Sequence, residues 1–156
     1  TNSYTTLVKC GLYDNKLYFK EVIYERGLYA STLKDLFIKN KVSRTVPIFA
    51  DSASPAMISE LNSLGFKNVK AVKKRKIEFG IALLKSYGAL QLVKGSINLI
   101  DEVSRYKYKR DGKTGLITND VIRKDDHALD ALRYWADMTL PRMNRKPKRK
   151  RNSSDF

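Results

Sequence analysis

The stretch "TVPIFADSASPAMISELNSLGFKNVKAV", Thr45 to Val72, decides the fold. Its opening, "TVPIFAD", is a short apolar run that reads as a buried strand ending at Asp51. "SPAMISELNSLGF" then reads as a helix with clear punctuation. Ser54 stands at the N-cap, Pro55 in the first turn where its missing N–H does no harm, and Gly65 at the C-terminal stop. "NVKAV" is a second short strand. Strand, helix and strand in so short a span imply a parallel pair, with any ligand site at the carboxyl end of the strands. That rule singles out Asp51.

Upstream, "TTLVKCGLYDNKLYFKEVIYE" reads as a β-hairpin turning at Asp14-Asn15. "STLKDLFIKN" reads as a short helix with Ser31 or Thr32 available as its cap. Downstream, "KIEFGIALLKSYG" places Ile77, Ile81, Leu84 and Tyr87 on one helical face, with Gly88 as a stop. "ALQLV" is a short strand, and "SINLIDEVSRYKY" a helix opening at Ser96. "KYKRDGKTGLITN" reads as a second hairpin around Asp111-Gly112. A last helix is expected over Asp125 to Leu140, stopped by Pro141. Antiparallel strands followed by alternating strands and helices give a mixed α/β sheet with helices on its faces. One domain over residues 1–140 accounts for the pattern. Residues 141–156, poor in apolar residues and rich in charge, are expected to be a disordered basic tail.

Net charge is +15, from 31 Lys and Arg against 16 Asp and Glu. The tail "PRMNRKPKRKRNSSDF" contributes +6, so residues 1–140 keep +9 and are basic in their own right. Polyanions, above all nucleic acid, are the expected partners, because neutralising phosphates releases counterions. The clusters "VKKRK" (with Lys73, Lys74 and Arg75) and "RYKYKRDGK" (with Lys107, Lys109, Arg110 and Lys113) are the expected phosphate contacts. No apolar run approaches the ~20 residues of a membrane span. The single cysteine, Cys10, leaves no internal disulfide and no cysteine-rich zinc site. There is no P-loop and no G-x-S-x-G elbow, which sets aside an ATPase and a hydrolase triad in this segment.

The remaining chemistry lies in "RKDDHALDALRYW", Arg123 to Trp135. His127 and Asp130 lie three apart, and Asp126 and Asp130 four apart, so each pair shares a helix face. Asp125 and Asp126 suit the positive end of the helix dipole. Asp130 lies beyond the first turn among Ala128, Leu129, Ala131 and Leu132, and a dipole does not account for it. Carboxylates that repel one another become ligands when a hard cation such as Mg²⁺ or Mn²⁺ sits between them. Asp51, Asp130 and a basic surface together suggest metal-dependent phosphodiester cleavage with two ions.

At this point the sequence resembles the C-terminal nuclease domain of the large terminase subunit of tailed bacteriophages. The resemblance covers most of residues 1–140. It rests on "IFADSASPAMISELNSLGF", on "KIEFGIALLKSYGALQLVKGSINLIDEVSRYKY" and most specifically on "DDHALDALRYW". It implies an RNase H-like fold and a Mg²⁺- or Mn²⁺-dependent endonuclease that cuts concatemeric viral double-stranded DNA during packaging, in the cytoplasm of a bacterial host. It also implies an ATPase motor ahead of this segment, with a small terminase subunit and a portal as partners. Asp51 and Asp130 match the family's metal ligands. His127 matches the motif histidine, and Asp126 a nearby acidic position that assists a second ion. The pattern departs in one place: the family's first aspartate and its central strand are expected ahead of Thr1. The chain is therefore expected to belong to a longer protein and to be inactive alone. A non-catalytic DNA-binding module on the same fold, or another RNase H-like nuclease such as a resolvase or transposase, is the alternative.

Overall fold

The computed structural model describes residues 3–106, 108–121 and 125–143. It opens on an antiparallel hairpin of β1 (Tyr4–Tyr13) and β2 (Lys16–Arg26). Asp14 and Asn15 turn it with φ of 47° and 56°, the left-handed pair that a two-residue hairpin needs. The pairing shifts between Leu7, opposite Ile23, and Val8, opposite Glu21, so Val22 is an extra residue on β2. That bulge exchanges the faces of the strand. Leu17 and Phe19 enter one core, whereas Ile23 enters the other.

Then follow α1 (Ala30–Lys39), β3 (Ile48–Ala50), α2 (Pro55–Ser63), β4 (Val69–Ala71), α3 (Ile77–Lys85), β5 (Gln91–Leu92) and α4 (Ile97–Arg105). The hairpin β6 (Tyr108–Arg110) and β7 (Ile117–Val121) precedes the closing helix α5 (His127–Met143). The first core joins Leu17 and Phe19 to Leu84 of α3, Leu99 of α4, and Ala128, Leu132, Ala136 and Leu140 of α5. The second joins Ile23 to Ala30, Leu33 and Phe37 of α1, Leu61 of α2, Phe66 and Val69. Helices thus cover both faces, as the sequence pattern implies. Burying a side chain such as Leu99 or Leu132, each 0% exposed, is worth about 1.5–3 kcal/mol.

The strands form separate groups: β1-β2-β5, with β5 parallel to β2; the parallel pair β3-β4; and the antiparallel pair β6-β7. Between the first two groups lies a slot. Ile48 N–H donates to Asn68 and Ala50 C=O accepts from Val72, both toward β4. In a strand the next residue points the other way, so the Phe49 backbone faces away from β4. Alternate residues of β1 likewise turn their backbone groups away from β2. A cavity of about 330 Å³ separates these two edges, lined by Thr6, Val8 and Cys10 of β1, Ile48 and Phe49 of β3, and Trp135 of α5.

Three local expectations change. Ser31 and Thr32 lie inside α1, whose N-cap is Tyr29 with no side-chain cap. Ser54 and Ser96 hold the N-cap positions of α2 and α4 without capping through their hydroxyls. Pro141 does not stop α5. It removes only the N–H that would bond the Asp137 carbonyl, and the last turn continues to Met143. Beyond that residue, the expected tail lies outside the described residues.

Candidate metal centre

Asp51 follows β3 directly, at the carboxyl end of the β3-β4 pair. Its Oδ1 accepts the Ala53 N–H at 2.8 Å and pairs with Lys74 Nζ at 2.7 Å. Its Oδ2 accepts the phenol of Tyr134, on α5, at 3.1 Å. Burial pushes this carboxyl up, but Lys74, the Ala53 N–H and Tyr134 outweigh it and hold the group below its ordinary value. Asp51 therefore turns the chain with one oxygen and reaches α5 with the other.

Asp130 lies one turn before Tyr134, so the two share a face of α5. Its Oδ1 accepts from Nη2 and Nε of Arg133 at 2.9 and 3.3 Å. Tyr134, 7% exposed, bonds Asp51 and stands in the field of Asp130. Burial and the charges of Asp130 and Asp51 push its phenol up to about 12, so at neutral pH it stays protonated and donates to Asp51. The guanidinium of Arg133 lies over the Tyr134 ring, 4.8 Å from its centroid.

His127 sits elsewhere on the helix entry. Its ring packs on Tyr4 and Tyr24 of the hairpin, at centroid distances of 5.6 and 6.5 Å, and its carbonyl accepts from Thr6. Asp126 lies just before the helix, where its carbonyl accepts the Asp130 N–H at 2.9 Å. It joins Ile77, Leu129, Asp130 and Arg133 around a groove of about 200 Å³. Asp125 takes a left-handed turn at φ 50°.

A residue not foreseen from sequence sets the helix itself. Glu102 of α4, 3% exposed, accepts the N–H groups of Ala128 and Leu129 at 2.8 and 3.0 Å and the Tyr24 hydroxyl at 2.8 Å. It fills the positive end of α5, the role the sequence suggests for Asp125 and Asp126. Burial raises its carboxyl, against the pull of Leu129, Tyr24, Ala128 and His127. In turn Glu21 of β2 accepts Asn98 and the Leu99 N–H at 2.9 and 2.7 Å, holding the start of α4. A carboxylate on the sheet thus fixes α4, and a carboxylate on α4 fixes the helix that carries Asp130. The available signal was Glu102, one turn beyond Leu99 on the inner face of an amphipathic helix. Nothing local pairs it with residues 26 and 27 positions away.

Of the basic residues, Lys73, Lys74 and Arg75 lie between β4 and α3 and are exposed, and Lys74 pairs with Asp51. Arg75 also covers the Phe79 ring at 4.7 Å. Arg110 and Lys113 are exposed in the β6-β7 hairpin, whose turn Asp111 closes by accepting the Lys113 and Thr114 N–H groups. Lys109 lies in β6. Lys107 lies outside the described residues.

One phenol thus bonds Asp51 and feels the charge of Asp130, and each carboxylate is paired with a basic side chain. The oxygen donors suit a hard divalent cation. Among the described residues, no group of three His, Cys, Asp or Glu side chains converges as a complete site. No helix of the described residues is long and apolar enough to cross a membrane.

A mixed sheet covered on both faces, with one carboxylate at a strand end and another on the closing helix, is the arrangement of an RNase H-like domain. The chain belongs to the terminase RNaseH-like domain family, which it matches over residues 1–137. Among solved structures it is similar to the nuclease domain of g2p, the large terminase of bacteriophage SPP1, solved with bound Mn. The TM-score is 0.74 and the identity 23%, over 86% of this chain and 78% of that one. It is also similar to the large terminase of a thermophilic bacteriophage, with a TM-score of 0.67 and 24% identity. That match covers 90% of this chain but only 38% of the thermophilic phage protein. No curated protein matches the chain.

Proposed function

We propose that this chain is the nuclease part of a phage large terminase, a divalent-metal-dependent endonuclease that cuts concatemeric double-stranded viral DNA during packaging. The observation that carries the reading is that Tyr134 of α5 donates to Asp51 at the carboxyl end of β3 while standing in the field of Asp130 one turn earlier on the same helix. The Mn in the SPP1 neighbour supports a divalent metal. Asp51 and Asp130 would hold it, with Asp126 close enough in sequence to Asp130 to assist a second ion. When bound, Mg²⁺ or Mn²⁺ supplies Lewis-acid polarisation of a phosphodiester and acidifies an attacking water. Tyr134 orients Asp51 by donating to it. Lys74, half exposed, is a charge that can pass from Asp51 to a phosphate. Lys73, Arg75, Lys107, Lys109, Arg110 and Lys113 supply further backbone contacts to DNA. His127 serves from the hairpin side, as a proton-handling or supporting group.

The slot between β1 and β3 supports a further part of this reading. Two facing strand edges over an apolar floor suit one inserted strand, parallel to β3 and antiparallel to β1. We place there a segment joined ahead of Thr1, carrying the third carboxylate. An ATPase motor, a small terminase subunit, a portal and the host cytoplasm complete the setting. The match to the thermophilic phage's large terminase, of which this chain spans 38%, supports only a longer protein around this domain.

The test uses the chain alone and the chain extended through its natural preceding residues. With Mn²⁺ or Mg²⁺ the extended protein should cut DNA and the 156-residue chain should not. Asp51→Ala and Asp130→Ala should abolish cutting in the extended protein while DNA binding persists. Wild-type cutting by either variant overturns the ligand assignment. A second reading is a DNA-gripping module without catalysis, which the exposed basic residues between β4 and α3 and in the β6-β7 hairpin favour. DNA binding without metal-dependent cutting by the extended protein would establish it.

A further inference from the structure

Arg133 lies between two carboxylates on one side of α5. It gives two N–H groups to Asp130, and its Nη1 stands 3.8 Å from Asp137 Oδ2. That second distance is an ion pair without a hydrogen bond. Asp137 is 3% exposed, and neither carboxylate oxygen has a hydrogen-bond partner among the described residues. A buried acceptor left without a donor is unfavourable, and native proteins rarely keep one without a reason. The space around the pair is shaped for it. Gly80 of α3 faces it, and a Cβ there would lie 2.3 Å from Arg133 Cγ and 2.9 Å from Asp137 Oδ1. Gly80 has an ordinary helical backbone, so its lack of a side chain serves close approach rather than conformation.

We propose that Arg133 is a positioning residue with two stations: it neutralises Asp130 when no cation is present, and it turns to Asp137 when a divalent cation takes Asp130. The movement is small. Closing the 3.8 Å gap to the ~2.8 Å of a charge-assisted hydrogen bond needs about 1 Å of guanidinium travel. Electrostatics favours it, because an arginine left on Asp130 would repel the arriving ion. The planar fork fits both oxygens of Asp137, which now accept nothing. Arg133 also lies on the ring of Tyr134, whose hydroxyl holds Asp51, so its shift is felt at both carboxylates. The cation arm of this inference rests on the metal reading above; the second station does not.

The two are separable by experiment. Asp130→Asn mimics neutralisation without metal, and a crystal structure of that variant reads the arginine directly. We expect Arg133 within hydrogen-bond distance of Asp137; a guanidinium that remains beside residue 130 or swings to solvent overturns the second station. Next, Mg²⁺ is titrated into the chain extended through its natural preceding residues while the ¹⁵Nε resonance of Arg133 is followed, and Mn²⁺ affinity is read by electron paramagnetic resonance. Wild type should show the resonance shift. Asp137→Asn should lose it and bind Mn²⁺ about 10-fold more weakly, the scale seen when a group supporting a metal ligand is removed. Equal Mn²⁺ affinity in the variant overturns the coupling. Failure of wild type to bind either ion overturns the metal reading, and the Asp130→Asn structure still decides the arginine.

Discussion

The two ends of the candidate centre hold their carboxylates in opposite ways. At Asp51 the side chain is 40% exposed and its counter-charge, Lys74, is 47% exposed. At Asp130 the side chain is 25% exposed, and its counter-charge, Arg133, is 7% exposed with Asp137 behind it at 1%. Lys74 can leave into water or onto a phosphate with little loss. Arg133 cannot, because its stem is packed against Gly80 and its head is buried between acids. An open end suits exchange of a protein charge for a DNA charge. A closed end keeps one carboxylate in place and gives its partner only one other place to go.

Removing the buried charge should have the largest effect. Arg133→Met keeps the packed stem but removes the buried guanidinium that pairs with Asp130 and Asp137, and should lower stability by about 3–5 kcal/mol in urea unfolding. A loss below 1 kcal/mol would mean that the closed end is not held by this charge. Glu102→Ala acts one step back, where it frees the Ala128 and Leu129 N–H groups at the start of α5. We expect about 2–3 kcal/mol, together with faster amide exchange in the first turn of α5. Gly80→Ala should follow at about 1–2 kcal/mol, since Arg133 must shift to admit a methyl group.

Much of this arrangement was legible in the sequence, and the rest was not for identifiable reasons. Asp14-Asn15 announced the hairpin because two left-handed residues in a row are a local requirement. Pro55 and Gly65 bracketed α2, and an apolar strand ending in Asp51 placed a carboxylate at a sheet edge. What failed was cooperation over distance. The polar run at Asp125 to Asp130 suggested that α5 supplies its own cap, but α4 supplies it through Glu102. His127 and Asp130 share a helix face by spacing, yet the hairpin tyrosines draw the ring toward themselves. Arg133 and Asp137 attracted no notice because burial of a salt bridge cannot be read from residue order. Pro141 ended the helix by rule, though a last turn that lacks one hydrogen bond still forms.

The contrast between the ends also has a pH signature in the metal-free chain. Asp51 lies below the ordinary 3.8: burial opposes this, but Lys74, the Ala53 N–H and Tyr134 prevail. Its contribution to stability is present above pH 3.8 and is lost as the pH falls through its lowered value. Asp137 lies above 3.8, raised by burial against Arg133 and Arg75. Its contribution is present below 3.8 and is lost as the pH rises through its raised value. On acidification, Asp137 should therefore take up its proton first, and only at lower pH should Asp51 loosen. Carboxyl ¹³C resonances followed in chelator give the order directly. Titration of Asp51 ahead of Asp137 would erase the distinction between open and closed ends.

The smallest effect expected is at Lys74. Lys74→Ala removes the shortest ion pair at the centre, 2.7 Å, yet unfolding free energy should change by no more than about 0.5 kcal/mol. The pair is half in water, and holding a long lysine in one geometry offsets most of its attraction. Asp51 would keep its orientation, because Ala53 still donates to Oδ1 and Tyr134 to Oδ2. The loss should appear instead in DNA affinity, with a shallower dependence on salt, since one phosphate contact is gone. If Lys74→Ala destabilised the fold as Arg133→Met does, Lys74 would be a structural charge, and the open end would be no more exchangeable than the closed one.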